Sequence, residues 1–373
     1  MHKNDSILFS KGHIGKLTIK NRYIVAPMTR ISADEDGKAN ARMKTYYERF
    51  AKGGFGAVIT EGIYFDDQYS QGYFNQPGIE SEEHIQAWKH IVQSVQTQGT
   101  IIIAQLMHAG GQSQGNRFQD ETIAPSAVAP KGQQLSFYNG SGPFQTPKAM
   151  TQQDITQVKN AFVHAATSAQ KAGFDGVEIH GANGYLLDQF LTDYLNKRED
   201  RYGGSIEKGL TFMTEIIEAI REKVGEDFIV GIRISQGKVA DSTYKWPGGE
   251  KTAQSVFSIL GKTSLSYIHV TENDATAPGF EDGSKTFTQV AKEYSLLPVI
   301  ANGGLGDLVK ASHLLENKYA DFVSIGTSAL ANPDLPNRIL YAEKLNDFNP
   351  NEILMPIAKI KDSELTTEVL SHK

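Results

Sequence analysis

Three side chains that can donate hydrogen bonds lie close together in the sequence, at His180, Asn183 and Tyr185. They accompany a short apolar run, Gly176–His180, that predicts a buried strand, and strand ends are where α/β folds place reactive groups. Because a phenol has a pKa of about 10, Tyr185 would be protonated at neutral pH and able to give up a proton. Asn183 cannot ionise, which suits binding. The alternative is a hydrogen-bonded core histidine beside a packing tyrosine, and a lone His-x-x-Asn spacing favours that alternative.

The composition argues against several classes of function. The chain has 373 residues, 21% of them charged, and a net charge of −6, so neither nucleic acid nor an anionic membrane is expected as the main partner. No apolar run approaches the roughly 18 residues of a membrane span, and the polar start is unlike a signal peptide, so a cytoplasmic location is expected. The absence of cysteine excludes a disulfide, an iron–sulfur cluster and a thiol nucleophile.

The spacing of apolar runs predicts one closed (β/α)8 barrel, an α/β fold of the TIM-barrel class. Strands that alternate with helices pair in parallel through right-handed crossovers, and eight such units suit a closed barrel. An open doubly wound sheet is the alternative, but this sequence lacks the Gly-x-Gly-x-x-Gly fingerprint that usually follows the first strand of such a fold. The predicted strands are Tyr23–Pro27, Ala57–Glu61, Thr100–Leu106, Gly176–His180, Phe228–Ile234, Tyr267–Thr271, Pro298–Asn302 and Phe322–Gly326. The predicted helices are Ala41–Lys52, Ser81–Thr97, Asp154–Ala172, Ile206–Val224, Thr252–Thr263, Asp307–Glu316 and Ala329–Leu345.

Three segments extend beyond a minimal barrel, within what we interpret as a single domain, residues 1–373. Residues 10–22 predict a small hairpin that caps the bottom of the barrel. Residues 107–150, rich in Gly, Pro, Ser and Gln, follow the third strand and should lie over the carboxyl-terminal mouth as a capping insertion. Residues 349–373 form a C-terminal tail in which no chemistry-bearing pattern is evident.

Two glycine turns could hold a phosphate group. Gly303-Gly304 and Gly326-Thr327 follow the seventh and eighth predicted strands. In a barrel, backbone N–H groups at these turns and at helix N-termini bind anions. Taken alone, Gly303-Gly304 is better explained by an ordinary turn between a strand and a helix.

Two further residues suit the ring of a flavin mononucleotide (FMN). The amide of Gln105, at the end of the third strand, could bond the alternating acceptors and N–H of an isoalloxazine edge. Arg233 lies inside the apolar fifth strand, and its fixed charge would stabilise reduced flavin. A structural ion pair explains Arg233 equally well when it is considered alone.

The chain resembles the old yellow enzyme family, a family of flavin-dependent reductases, over roughly residues 10–345. The string at 180–191 and the Arg-Tyr-Gly-Gly-Ser-Ile-Glu segment at 201–207 are highly specific, whereas the glycine turns are not. Further matches are Ala-Pro-Met-Thr-Arg at 26–30, Ala-Pro-Ser-Ala at 124–127, and Gly326 followed by Asn-Pro-Asp-Leu at 332–335. The resemblance implies a TIM barrel with noncovalent FMN, reduced by NADH or NADPH, that passes a hydride to an activated alkene or a quinone-like acceptor.

The resemblance also implies roles for individual residues. The Thr29 hydroxyl would lie near the flavin O4, Gly62 would let the chain pass close to the ring, and Arg233 would face the N1–C2 carbonyl side. The residues implied at the cofactor are Pro27, Met28, Thr29, Gly62, Gln105, His180, Arg233, Gly303, Gly304, Gly326 and Thr327. Thr327 stands where many members have an arginine that grips the phosphate.

At the substrate, the resemblance implies that His180 and Asn183 hold the carbonyl oxygen and that Tyr185 protonates the α-carbon. Reduction of an α,β-unsaturated carbonyl compound places negative charge on that oxygen, and two fixed donors would act as an oxyanion hole. The alternatives are a barrel enzyme of another class, such as an aldolase or a hydrolase, and a flavin-binding carrier without turnover. No strand lysine or His-x-His cluster indicates a Schiff base or a metal site. The sequence leaves a homo-oligomer open.

Overall fold

A computed structural model describes residues 6–281, 283 and 285–371. Its strands are β1 (Gly12–Ile14), β2 (Leu17–Ile19), β3 (Tyr23–Val25), β4 (Ala57–Ile63), β5 (Ile101–Leu106), β6 (Ile123–Ala124), β7 (Lys148–Ala149), β8 (Gly176–Asn183), β9 (Ile229–Lys238), β10 (Tyr267–Thr271), β11 (Val299–Asn302) and β12 (Phe322–Ile325). Eight of them close a barrel in the order β10-β11-β12-β3-β4-β5-β8-β9. Every neighbouring pair in the barrel is parallel, which confirms the predicted (β/α)8 fold and rules out the open sheet.

The barrel strands coincide with the eight predicted ones because apolar, β-branched runs suit strands that are buried on both faces. Three strands run further than predicted, and the first of them, β4, continues past Glu61 to Ile63. The strand β8 continues past His180 to Asn183, and β9 continues to Lys238. Their register shifts between Gly181 and Asn183, so this extension is irregular and redirects the side chains that follow His180.

The helices surround the barrel. They are α1 (Ala41–Lys52), α2 (Glu82–Gln96), α3 (Gln152–Ala172), α4 (Leu186–Phe190), α5 (Ile206–Val224), α6 (Gly249–Leu260), α7 (Phe287–Ser295), α8 (Leu308–Glu316), α9 (Thr327–Ala331), α10 (Leu335–Tyr341), α11 (Pro350–Ile353) and α12 (Asp362–Thr366). The prediction of one helix over Ala329–Leu345 is wrong. Asn332 has φ −139° and ψ 82°, because Pro333 disfavours the helical conformation of the residue before it, and the segment divides into α9 and α10.

The hairpin predicted at residues 10–22 is present as the antiparallel pair β1 and β2. Its side chains Ile14 and Ile19 are fully buried against apolar residues at the amino-terminal ends of the barrel strands. These include Ile24, Ala57, Ile229, Tyr267 and Phe322. The hairpin therefore closes the bottom of the barrel and leaves the opposite mouth for a site. Within the described ranges, no helix is long and apolar enough to cross a membrane.

Candidate active site

A cavity of about 300 Å³, called the central cavity here, lies where the carboxyl ends of the barrel strands converge. The structure brings ten of the residues singled out in the sequence to its wall. These are Pro27, Met28, Thr29, Gln105, His180, Asn183, Tyr185, Arg233, Gly326 and Thr327. Residues from five strand ends and the turns after them thus face one space, as convergence in a barrel requires.

Three of the residues expected at the cofactor, Gly62, Gly303 and Gly304, are not part of this wall. A β-carbon on Gly62 would lie 2.6 Å from the sulfur of Met107, so packing against Met107 accounts for this glycine. Gly303 and Gly304 follow Asn302, which does line the cavity, and both have positive φ angles of 135° and 67°. A side chain on Gly303 would also meet the Glu272 carbonyl oxygen at 2.4 Å. The turn therefore requires glycine for conformational reasons, and its phosphate contact stays a prediction.

His180 and Tyr185 lie side by side in the cavity. Their ring centroids are 5.0 Å apart at an interplanar angle of 55°. His180 is buried, and its Nδ1 has no hydrogen-bond partner among the described residues. Burial, reinforced by the nearby Arg233 cation, lowers the pKa of His180 to about 3. The imidazole is therefore neutral at physiological pH and has an uncommitted nitrogen, so it does not fit the alternative of a hydrogen-bonded core histidine.

Asn183 reaches the cavity through an unusual backbone conformation. Its φ angle is 65°, in the left-handed region that asparagine tolerates better than most residues. The Asn183 N–H donates to Ser235 Oγ at 2.8 Å, and its carbonyl oxygen accepts from Gln112 Nε2 at 3.1 Å. These bonds use the backbone groups, and the side chain lines the cavity within reach of a ligand.

A buried ion pair supports the loop that carries these residues. The Lys238 ammonium donates to both carboxylate oxygens of Asp188 at 2.7 and 2.8 Å, and the Gly184 N–H donates to the same carboxylate at 2.6 Å. Neither side chain is more than 2% exposed. Burial raises the pKa of Asp188 and lowers that of Lys238, while their mutual attraction opposes both shifts. Breaking such a pair from one side commonly costs about 3–5 kcal/mol, so it fixes the loop firmly.

Tyr185 has a partner that was not anticipated from the sequence. Its hydroxyl oxygen lies 2.5 Å from that of Tyr73, which follows β4 and is itself buried. The Tyr73 ring packs against Tyr138 of the insertion at a centroid distance of 4.7 Å. Burial raises the pKa of Tyr185 and of Tyr73, so both phenols are protonated at neutral pH. The Tyr185 hydroxyl therefore carries a proton and is kept in place by its hydrogen bond with Tyr73.

Arg233 is a buried cation with bonding capacity to spare. Its side chain is 6% exposed, Nη2 donates to Asn302 Oδ1 at 3.0 Å, and Nε has no partner among the described residues. The nearby Glu178 carboxylate is fully buried and accepts from the Tyr267 hydroxyl at 2.8 Å. Burial alone would raise the pKa of Glu178, but His269 and Arg233 together lower it. Because no carboxylate is within salt-bridge distance of Arg233 in the described part of the chain, an anionic ring explains it better than a structural pair.

Part of the cavity wall comes from two segments that the sequence left without residue assignments. Leu135, Phe137 and Tyr138 of the insertion 107–150 line the cavity, and the Tyr138 hydroxyl donates to the Thr29 carbonyl oxygen at 3.3 Å. Leu354 of the tail lies in the same wall. The insertion and the tail both cover the mouth of the barrel.

The residues present fit FMN. The cavity offers a spare cation in Arg233, an unpartnered nitrogen in His180 and an amide in Gln105, which match the anionic and polar edge of an isoalloxazine. The fit is less complete at Gly326-Thr327, because the second arginine among the described residues of the wall, Arg30, is bound to Glu364. A phosphate there would be held by uncharged groups.

Comparison with known proteins agrees with this geometry. A model of the NADH:flavin oxidoreductase / NADH oxidase family matches residues 7–346. A probable flavin mononucleotide-dependent alkene reductase of Leishmania infantum is 35% identical over 345 residues, which cover 90% of this chain and 91% of the relative. The structure of an old yellow enzyme homologue from Zymomonas mobilis is similar with a TM-score of 0.87 and 27% identity, covering 97% of this chain and 99% of that one. Morphinone reductase in complex with tetrahydroNAD is similar with a TM-score of 0.80 and 31% identity, covering 92% and 93%.

Proposed function

We propose that this chain, which belongs to the NADH:flavin oxidoreductase / NADH oxidase family, uses NADH or NADPH to reduce the activated carbon–carbon double bond of α,β-unsaturated carbonyl compounds. Quinone-like compounds are the second class of acceptor. The observation that carries the proposal is that a neutral His180, the Asn183 amide and the Tyr185 phenol line one cavity with the buried Arg233 cation. A cavity for binding alone would not require a protonated phenol beside two donors.

The chain's residues divide into those that would hold the cofactor and those that would act on the substrate. When bound, FMN supplies hydride transfer between the nicotinamide and the acceptor. Arg233 would hold the anionic side of the ring and Gln105 its pyrimidine edge, while Thr29 would lie near its O4. The remaining residues proposed at the cofactor are Pro27, Met28, Gly62, His180, Gly303, Gly304, Gly326 and Thr327.

His180 and Asn183 would bind the carbonyl oxygen of the acceptor. As the double bond accepts hydride, negative charge develops on this oxygen, and each lost donor commonly costs about 2.7–4 kcal/mol in an oxyanion hole. Neutral His180 has one N–H group, which can donate a hydrogen bond to the acceptor, and it carries no extra proton to give up. Both properties suit a binding role. Tyr185 would deliver the proton to the α-carbon, and Tyr73 would hold its hydroxyl in place.

We further propose that the chain acts as one FMN-binding domain over residues 1–373, with 107–150 as its cap and 349–373 as its tail. Support comes from the apolar core, which includes Ile123 of the insertion and Ile360 of the tail together with the barrel strands. Residues 1–5 and 372–373 lie outside the described residues. The net charge of −6 supports a small-molecule partner rather than nucleic acid, and we expect a cytoplasmic location and leave room for a homo-oligomer.

The proposal is tested with the purified protein. We expect a yellow protein that releases FMN, and not FAD, on acid treatment and chromatography. Under anaerobic conditions, mixing with NADH and with NADPH should bleach the flavin absorbance, and cyclohexenone should restore it. A protein that stays colourless after reconstitution with FMN would contradict the cofactor assignment. If a nicotinamide reduces the bound flavin but no enone reoxidises it, the protein is a flavin-binding carrier and not an ene-reductase.

A further inference from the structure

Arg30, near the end of the first barrel strand, is bound to the far end of the chain. Its guanidinium is fully buried and donates to both carboxylate oxygens of Glu364, at 2.7 and 2.6 Å. The same guanidinium donates to the carbonyl oxygens of Ala358 at 3.1 Å and Lys359 at 3.2 Å. It also lies 5.2 Å from the centroid of the Tyr46 ring. Arg30 therefore binds the tail at residues 358, 359 and 364, the last of which lies in α12.

The tail in turn is bound to the insertion. The Ala358 N–H donates to the Phe137 carbonyl oxygen at 2.9 Å, so the residue held by Arg30 also holds the insertion. A second contact is the Ile360 N–H, which donates to Ser32 Oγ at 2.8 Å. Phe137 and Leu354 both line the central cavity. The bonds from Arg30 therefore lead to both covering segments of the cavity.

This wall is apolar and lines the same cavity as the proposed substrate donors. Leu135, Phe137 and Leu354 supply its aliphatic and aromatic surface, whereas His180 and Asn183 lie on the barrel side. A carbonyl oxygen held at the barrel side leaves the rest of an acceptor to occupy the space against the wall. Apolar pockets discriminate by size, and one methylene group is worth about 10–200-fold in relative kcat/KM.

We propose that the Arg30–Glu364 pair is a positioning device for this wall and that it decides which enones fit, admitting compact ones and restricting those with bulky apolar substituents. The proposal rests on the proposed function. Arg30 and Glu364 act through Phe137 and Leu354 and touch no reacting atom. The pair is strongly coupled because neither group is well solvated, with side-chain exposures of 0% and 12%.

Three variants of the holoenzyme test this inference. Glu364→Gln keeps the size of the side chain and removes the charge that holds Arg30. Leu354→Ala keeps the pair and opens the wall directly, so it remains informative if Glu364→Gln folds poorly. Asp362→Asn is the matched control, because Asp362 lies on the same tail and pairs with Arg42 of α1, but its side chain is 84% exposed.

The first readout is the ratio of kcat/KM for carvone, a cyclohexenone with a bulky apolar substituent, to that for cyclohexenone. We expect this ratio to rise about tenfold in Leu354→Ala and in Glu364→Gln, a size typical of one methylene group, and to stay within about twofold in Asp362→Asn. The second readout is hydrogen exchange at the Ala358 and Ile360 amides. Glu364→Gln should accelerate it, and Asp362→Asn should leave it unchanged.

The outcomes separate the two proposals. If the wild-type protein reduces neither enone, the proposed function fails and this inference falls with it. If the wild type reduces both enones but the ratio is unchanged in Leu354→Ala, the wall does not select substrates and the inference alone is overturned. Faster exchange in Glu364→Gln without a change in the ratio overturns it as well, since the pair would then be purely structural.

Discussion

The side-chain amide of Gln105 donates through Nε2 to the carboxylate of Glu178 at a distance of 2.9 Å. Gln105 is 2% exposed and Glu178 is completely buried. This bond uses one of the two N–H groups of Nε2 and fixes the orientation of the amide, so that Nε2 faces Glu178. The second N–H group and Oε1 stay available for the central cavity, so the expectation that the amide bonds a ring edge in both senses stays a prediction.

Replacing Glu178 should raise the reduction potential of the flavin. The lowered pKa of Glu178 means that it is ionised at neutral pH, and its charge partly offsets that of Arg233. Glu178→Gln removes the offset, so reduced, anionic flavin is stabilised more. We expect an increase on the order of 30 mV, which is about 1.4 kcal/mol for a two-electron couple, in an equilibrium dye titration. An unchanged or lower potential would show that Arg233 does not act on the ring.

Arg233→Met should have the opposite effect on the potential and should also weaken FMN binding. Arg233 is buried with one hydrogen bond to Asn302, so most of its donors are available to a ligand. Removing a charged donor costs about 1.5–3 kcal/mol, or roughly tenfold or more in the dissociation constant. Fluorescence titration of the apoprotein with FMN measures the affinity. Equal affinity and potential in mutant and wild type would make Arg233 a structural residue.

Tyr185→Phe should separate the two half-reactions. Reduction of FMN by a nicotinamide needs no proton from Tyr185, whereas reduction of an enone requires one at carbon. We expect near-normal flavin reduction and reoxidation by cyclohexenone that is about 10²–10⁴-fold slower, the usual contribution of a general acid. Quinones, which can collect protons from water, should be affected much less.

Tyr73→Phe is the companion variant, because it removes the hydroxyl that lies beside Tyr185 and leaves the acid itself in place. Its effect on enone reduction should be smaller. Stopped-flow rates for both steps decide the matter: equal slowing of both half-reactions in Tyr185→Phe would indicate a positional role, and unchanged enone rates would remove it as the donor.

Substrate binding should be insensitive to pH across the neutral range. Since burial lowers the pKa of His180 to about 3, its ring stays neutral between about pH 5 and pH 8. The affinity for cyclohexenone, followed by flavin absorbance, should not change there, and a break near pH 6.5 would contradict the assignment.

The stability of the fold should depend on pH through the same histidine. As the pH drops from about 6.5 towards 3, His180 is protonated in the unfolded chain but not in the folded one. The free energy of unfolding should therefore fall over this range, and the fall should be smaller in His180→Asn.

Thr327→Arg should strengthen FMN binding. Apart from Arg233, which is proposed to hold the ring, the described lining of the cavity has one other cationic side chain, Arg30, and that is bound to Glu364. A guanidinium placed there could form charge-assisted hydrogen bonds with the phosphate, worth about 1.5–3 kcal/mol. The dissociation constant should fall by about tenfold or more, and the gain should shrink at high salt. Thr327→Gln, which adds length without charge, is the control and should show little gain.

The barrel and the centre of the site could be predicted because their signals are local. The buried strands are continuous apolar runs, and His180, Asn183 and Tyr185 fall within six residues of one strand end. The helix α7 was missed although Thr286 and Gln289 form a capping box at its start, which is a recognisable sequence signal. The break at Pro333 could also have been found, because proline disfavours helix in the residue before it.

The remaining parts of the site depend on contacts between distant segments. Tyr73 lies 112 residues before Tyr185, and nothing in its neighbourhood marks it as a partner. Leu354 and Phe137 are ordinary apolar residues whose position follows from how the tail and the insertion pack. Arg30 belongs to a recognised motif, but its partner Glu364 lies in a tail that carries no motif. Such pairings are determined by tertiary structure and leave no periodic trace.

The bond between Arg30 and Glu364 also constrains the order of events during synthesis. The two residues are 334 positions apart, and β3 closes the barrel by pairing with β12, so the first strand of the barrel waits for a strand that is translated much later. Contacts of such high sequence separation form late, because loop closure must precede them. The insertion residues of the wall are translated long before the tail, so Arg30 can complete the wall only once residue 364 has been made.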